Sequence, residues 1–272
     1  MDRIPAVSVI LPTCNREGVL LAAISSVLMQ EGVSFELLIL DDGSKDSTGL
    51  RLKAFIGNPK VRIFTSNKIG LAKAVNFLAQ KARGNLLYMM GDRIRLSRGT
   101  LASLAGTFHS LSPQCNPGAV GPQLLGSRSS VAPTGVAKIG PLTGEMYHDF
   151  GRITHEVVQV PFLHSYSLIS RSAFLQSGGW DLVYQKPYWR VETDFYLRLL
   201  KLGYTLWFDP TCQVSAVPAA SGGSRQPRRS SAILTARNHI IFLFEWQKYS
   251  CILPYVVMLT VDPYRRLLKL PI

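Results

Sequence analysis

A chain of 272 residues with 47% hydrophobic and 17% charged side chains is long enough to bury a sizeable core and too apolar to stay disordered. Its formal charge of +13 is unevenly spread: residues 45–100 hold twelve Lys and Arg against Asp46 and Asp92, and residues 225–272 hold eight against Glu245 and Asp262. That clustering suits an anionic ligand in the first region and an anionic surface in the second, while the absence of zinc-finger, RNP-like and helix-turn-helix patterns argues against nucleic acid as a partner.

In chain order, VSVILP (7–12), FELLILD (35–41), VRIFT (61–65) and NLLYMM (85–90) read as buried strands. Segments 17–31, 46–56 and 70–83 between them carry apolar residues at helical spacing. Strand and helix alternating at this interval predict a parallel sheet with right-handed crossovers, and ligands of such sheets sit at the carboxyl ends of the strands. The rule singles out Pro12 and Thr13, then Asp41 to Ser44, then Gly91, Asp92 and Arg93. Residues 112–165 are richer in Pro, Gly and Ser and read as short strands and loops covering one side of the sheet. YSLIS (166–170), a helix, the turn SGGWD (177–181), a helix through ETDFYLRLLKLG (192–203) and the strand YTLWFDP follow. The Gly/Pro/Ser/Arg-rich stretch 215–231 marks a boundary, giving a domain over 1–224 and a basic, aromatic helical segment over 225–272. CILPYVVMLTV is apolar for eleven residues, short of the ~20 that span a bilayer. Two readings stay open for it: a helix in the membrane interface, with Trp246, Tyr249, Tyr255 and Tyr264 at headgroup depth and Arg265, Arg266 and Lys269 on anionic lipid, or a helix packed on the domain. No early stretch has the signature of a secretory leader, so the expected location is cytoplasmic, with the tail able to reach the inner face of the cell membrane. Cysteines 14, 115, 212 and 251 form no metal or disulfide pattern.

VSVILPTCNR, LILDDGSKDST, NKIGLAKAVNFLAQKARGNLLYM, SGGWD and ETDFYLRLLKLGY, in this order and spacing, resemble the inverting family 2 glycosyltransferases of the GT-A fold over about residues 6–215. The resemblance implies an α/β fold with a mostly parallel sheet flanked by helices, and a nucleoside-diphosphate sugar as donor. By the same resemblance Pro12, Thr13 and Asn15 line a nucleobase pocket, Asp41 and Asp42 serve base or ribose, and Lys73 and Asn76 face the donor. A carboxylate suits that work because it accepts hydrogen bonds from base N–H and ribose hydroxyls. The plainer reading of Asp41 to Ser44 is a polar turn capping the next helix.

Two positions depart from the family. Its Asp-x-Asp, which binds ribose and a divalent cation, is Gly91-Asp92-Arg93 here, and Ala216 stands about where a histidine completes the metal site. The expectation is that Mg or Mn is weakly needed or dispensable, with Arg93, helped by Arg95 or Lys73, neutralising the departing diphosphate. The opposing reading leaves Asp92 as a metal ligand. The resemblance puts Glu192 at the catalytic base position and Asp194 beside it as support; the plain alternative is that both favour a helix N-terminus. Trp180, Asp181, Trp189 and Arg190 are the candidate sugar or acceptor contacts, with core packing as the alternative for the tryptophans. The acceptor expected by analogy is a lipid-linked or other cell-envelope glycan. A catalytically degenerate, nucleotide-sugar-binding pseudoenzyme is the alternative function. A receiver domain is disfavoured by chain length, and a nucleotidyltransferase by the lack of a Gly-rich phosphate loop.

Overall fold

The computed structural model describes residues 4–111, 113–125, 136–149, 155–217 and 228–267. The first half alternates as β1 (Val7–Thr13), α1 (Leu20–Leu28), β2 (Phe35–Asp42), α2 (Thr48–Leu52), β3 (Val61–Ser66), α3 (Leu71–Lys81) and β4 (Leu86–Met89). There follow β5 (Ile94–Leu96), α4 (Thr100–Ser110), β6 (Pro117–Leu125), β7 (Val136–Ile139), β8 (Met146–Asp149), β9 (Val158–Gln159) and β10 (Leu168–Ser170). The last part holds α5 (Arg171–Gln176), α6 (Val191–Lys201), β11 (Thr205–Ala216), α7 (Arg228–Glu245) and α8 (Ile252–Leu267).

One twisted sheet runs β3-β2-β1-β4-β10-β6-β11-β5, with β9 pairing on β11, while β7 and β8 form a separate antiparallel pair. Strands β1 to β4 pair in parallel, so their carboxyl ends share one edge: Thr13 lies opposite Asp41, and Asp42 opposite Ser66. Strand β10 enters antiparallel between β4 and β6 and ends the parallel half. Alternation along β1 and β2 explains the two-sided core. Val7, Val9, Leu11, Leu37 and Ile39 pack against α1 and α4, whereas Ile10, Leu38 and Leu40 pack against α3 and α6.

The strands expected at 7–12, 35–41, 61–65 and 85–90 agree with β1 to β4 within two residues. The helix expected over 46–56 is a short α2 followed by a 3₁₀ turn, Lys53–Phe55. Nothing in the sequence reading anticipated β5 or α4: a three-residue strand is too brief to show a period, and Gly106, Thr107 and Ser110 dilute the helical signal of α4. Segment 218–227, within the expected linker, lies outside the described residues.

The C-terminal segment does not stand apart. Phe242, Leu243, Cys251 and Tyr255 join the core cluster on the α3 and α6 side. Among the described residues no helix is long and apolar enough to cross a membrane.

Candidate active site

The shared strand edge opens into a cleft of about 540 Å³, within the usual range for small-molecule pockets. Pro12, Thr13, Cys14 and Arg16 come to it from the end of β1 and Asp42 from β2. Lys68 to Leu71 enter from the loop before α3, Gly91 to Arg93 follow β4, and Glu192 opens α6. The four regions expected to meet from sequence therefore share one cavity. Thr13 is 3% exposed and its hydroxyl has no hydrogen-bond partner, a buried polar atom left for whatever fills the cleft.

Asp42 is both lining and scaffold. Its Oδ1 accepts from the Ser66 hydroxyl at 2.8 Å and the Ile69 N–H at 2.6 Å, and Oδ2 accepts from the Gly70 N–H at 2.9 Å, so the carboxylate holds the loop that carries Lys68. Gly70 at φ 90° lets that loop pass against Tyr188, where any Cβ would come within 2.6 Å of the hydroxyl. Asn15, Asp41, Lys73 and Asn76 do not line this cleft. Asp41 folds its own turn, accepting from the Ser44 N–H and hydroxyl, and Asn15, at φ 53°, accepts from the Lys45 N–H at 2.7 Å. Short polar side chains in a tight loop satisfy nearby backbone first, which is the capping alternative in another form. Asn76 takes the Trp180 N–H and donates to the Trp180 carbonyl, both at 2.8 Å, fixing the Gly-Gly-Trp turn against α3. Lys73 borders a second cavity of about 350 Å³ beyond Tyr188.

At the end of β4, Asp92 is clamped by Arg16, whose Nε lies 3.0 Å from Oδ2, with the two side chains 8% and 12% exposed. Burial pushes the Asp92 carboxyl up, and Arg16, Arg93 and Arg95 pull it back. Arg95 is spent on backbone, donating to the Ile94 carbonyl at 2.8 Å and the Val19 carbonyl at 2.7 Å. The helpers named for Arg93 therefore change: Lys68 and Lys186, not Arg95 and Lys73, share the cleft with it. Ala216 pairs with Ile94, and Val217 donates to the Arg93 carbonyl at 3.0 Å, so the missing histidine position is beside Arg93. Among the described residues no three His, Cys, Asp or Glu side chains gather as a metal-binding set. Asp92 is thus a carboxylate already held by one guanidinium, with Arg93 and Arg95 beside it.

Helix α6 starts at Arg190, whose φ of 79° breaks the chain direction, and carries Glu192 and Asp194 in its first turn with Arg198 and Lys201 in its last. Glu192 keeps part of its surface on the cleft, while the surrounding protein desolvates it. Burial pushes its pKa up to about 7, opposed by its own N–H and the Ser165 hydroxyl. Asp194 points the other way and does not line the cleft. Its Oδ2 takes Nε and an Nη of Arg198 at 2.9 and 2.8 Å, and Oδ1 takes the Trp246 Nε1–H at 3.0 Å. Arg198 in turn donates to the Ser177 and Gly179 carbonyls, so one buried carboxylate ties the Gly-Gly-Trp turn, α6 and the C-terminal segment together.

Of the four acceptor candidates, Trp180 alone lines the cleft, from a largely buried position. Asp181 accepts from the Val183 N–H at 2.9 Å. Trp189 is exposed outside the cavity. Arg190 is 2% exposed, lies over the Trp189 and Phe242 rings, and donates through Nε to Nδ1 of His239 at 2.8 Å. It thereby anchors α7, and burial pulls its pKa down to about 10. Trp246 and Tyr255, offered above to lipid headgroups, face inward, Trp246 onto Asp194 and Tyr255 against the His239 ring at 4.1 Å. Side chains of Tyr264, Arg265, Arg266 and Lys269 lie outside the described residues. The sequence reading did not single out Arg16, Lys68, Ser165, Lys186 or Tyr188. Arg16 and Lys68 sit inside motifs already noted, but Ser165, Lys186 and Tyr188 reach the cleft by long-range folding that no local pattern signals.

Residues 8–116 match the family described as Glycosyl transferase family 2. Over 109 residues the chain is 31% identical to an uncharacterized protein of Mycobacterium tuberculosis, covering 40% of this chain and 34% of that one. Over 82 residues it is 35% identical to a UDP-Glc:alpha-D-GlcNAc-diphosphoundecaprenol beta-1,3-glucosyltransferase of Escherichia coli, covering 30% and 32%. The matching stretch thus spans about a third of either relative. Among solved structures, GalNAc-T7 with UDP, GalNAc and Mn2+ is similar with a TM-score of 0.68 and 16% identity, covering 89% of this chain and 48% of that one, a likeness of fold. Segment 8–116, which brings Thr13, Arg16, Asp42, Asp92 and Arg93 to the cleft, is thus the part of the chain that matches the Glycosyl transferase family 2 model, and it is carried on a GT-A-like fold.

Proposed function

We propose that this chain moves a sugar from a nucleoside-diphosphate sugar to an acceptor hydroxyl, with inversion at the anomeric carbon. The observation that carries the reading is the meeting, in one cleft, of the cations Lys68, Arg93 and Lys186 with a carboxylate at 192 whose pKa is pushed up to about 7. Cations at one end suit the charge that develops on a leaving diphosphate, and a base near neutrality suits an incoming hydroxyl. In the reaction, the acceptor oxygen forms a bond to the anomeric carbon as the bond to the diphosphate oxygen breaks. The leaving oxygen keeps the electron pair beside Arg93, and the hydroxyl proton passes to Glu192. Thr13 and Pro12 meet the base, and Asp42 shapes the loop around the nucleotide. The fixed positive charge also makes a divalent cation dispensable for neutralising the diphosphate.

A thermal-shift panel of UDP-, GDP- and dTDP-sugars with donor-hydrolysis assays tests the reading. One nucleotide class is expected to stabilise the protein and to turn over; no shift with any of them removes the proposal, and a shift without turnover favours the pseudoenzyme. In the same assay Arg93→Ala is expected to weaken nucleotide binding by about tenfold or more, the usual worth of a charge-assisted contact. Unchanged affinity would take Arg93 out of the donor site.

The acceptor we propose is a lipid-linked glycan, consistent with the diphosphoundecaprenol in the Escherichia coli relative's name. With α7 and α8 docked through Phe242, Trp246 and Tyr255, the side chains left outward include Phe244, Tyr249, Leu253 and Val256, each exposed. An outward apolar face on a basic segment supports a seat on an anionic bilayer. Co-sedimentation with phosphatidylglycerol vesicles, but not with phosphatidylcholine vesicles, is expected, and the Leu253→Ser, Val256→Ser pair should lower it about tenfold. Equal sedimentation of wild type and double variant would refute this seat.

A further inference from the structure

The ion pair between Arg16 and Asp92 carries a consequence for how the donor is held, on the premise that the cleft takes a nucleoside diphosphate. Asp92 is the one carboxylate of segment 91–93. Its partner lies 76 residues earlier in sequence, fixed at the entrance to α1: the Arg16 N–H donates to the Thr48 hydroxyl at 2.8 Å, and its carbonyl takes the Val19 and Leu20 N–H groups at 3.0 Å. From that anchored backbone the guanidinium reaches the carboxylate at 3.0 Å, and both side chains are largely buried. Arg93 and Arg95 flank the start of β5, where Ala216 and Ser215 of β11 pair with Ile94 and Arg95. A divalent cation on Asp92 would have to displace a buried guanidinium and sit among two further guanidinium charges, with no second carboxylate in segment 91–93 to hold it.

We propose that Arg16 stands in for the divalent cation: it closes Asp92 as a metal ligand and leaves a diphosphate seat whose positive charge comes wholly from the chain. In this arrangement Asp92 is a positioning residue that keeps the Arg16 guanidinium at the cleft wall, and Arg93, Lys68 and Lys186 face the phosphates. Arg16 then sets the metal dependence of donor binding. Breaking the pair frees a carboxylate at the wall, and magnesium or manganese commonly needs only one or two protein carboxylates besides the phosphates.

Calorimetric titration of UDP, GDP and dTDP into the purified chain, in EDTA and then in MnCl2, tests this without relying on turnover. For the nucleotide that binds, wild-type Kd is expected to change by less than about threefold between the two conditions, whereas Arg16→Met is expected to bind at least about tenfold more tightly in Mn2+ than in EDTA. Wild-type binding that is lost in EDTA overturns the proposal, as does an Arg16→Met protein indifferent to Mn2+. If Arg16→Met does not fold, Asp92→Asn decides: affinity should stay within about threefold of wild type in Mn2+, and a loss of about tenfold or more there would mean Asp92 carries a metal. Should none of the three nucleotides bind in either condition, the donor reading itself falls, an outcome distinct from metal-dependent binding, which overturns the role of Arg16 alone.

Discussion

Glu192→Gln is expected to lower turnover about a thousandfold while leaving sugar-nucleotide affinity within a few-fold, since Gln keeps the shape and the Ser165 contact but takes up no proton. The wild-type rate should rise with pH along a limb centred near 7, where Glu192 loses its proton, and that limb should vanish in the variant. Stability should move oppositely. The folded carboxyl holds its proton up to about 7 against an ordinary value of 4.5, so the folded state binds more protons between those values and the protein loses stability as pH rises through them. The cost of the buried charge is about 3 kcal/mol above pH 7. Glu192→Gln removes it, so the variant should gain in melting temperature over wild type at pH 8 relative to pH 4. A stabilised, inactive variant is the signature of a carboxylate kept in a costly place for its chemistry. Near-normal turnover, or equal melting shifts at both pH values, would remove Glu192 from the mechanism.

Asp194→Ala should be damaging for a different reason. It strips a buried carboxylate from Arg198 and Trp246 together, leaving a guanidinium and an indole N–H without their acceptor. Breaking a buried pair from one side typically costs about 3–5 kcal/mol, enough to melt a marginal protein at 37 °C. Lys201, 3.9 Å from the Trp246 ring centroid, is left to hold the joint. The expected readouts are a large fall in melting temperature and earlier proteolysis within α7. Asp194→Asn, which retains one acceptor, should recover part of the loss. If Asp194 instead touched the reactants, Asp194→Asn would keep its melting temperature and lose turnover, the opposite pattern.

These two carboxylates mark the limit of what the sequence carried. Both lie in one helical turn, so the local pattern located the element, yet which one faces the cleft depends on where Trp246 docks, fifty-two residues later. The sheet was legible because runs such as VSVIL and FELLIL are buried on both faces and show it in composition. The position of the cleft followed from strand ends alone. Individual side chains did not follow, because Asp41 satisfies backbone within its own turn and Asn15 satisfies the Lys45 N–H of the neighbouring strand-end loop. Long-range pairs were the least legible: Asn76 with Trp180, Arg190 with His239 and Arg16 with Asp92 each join segments whose local patterns say nothing of one another. The tail shows the same limit, since its aromatic residues divide between core and surface by helical face, and an apolar count does not record which face docks.

The most direct measurement is a crystal structure of the chain soaked with the nucleotide sugar that stabilises it best. The account requires the base against Thr13, the diphosphate within hydrogen-bonding reach of Arg93, and the anomeric carbon turned toward Glu192. A nucleotide bound outside this cleft, or one whose sugar points away from Glu192, would contradict it.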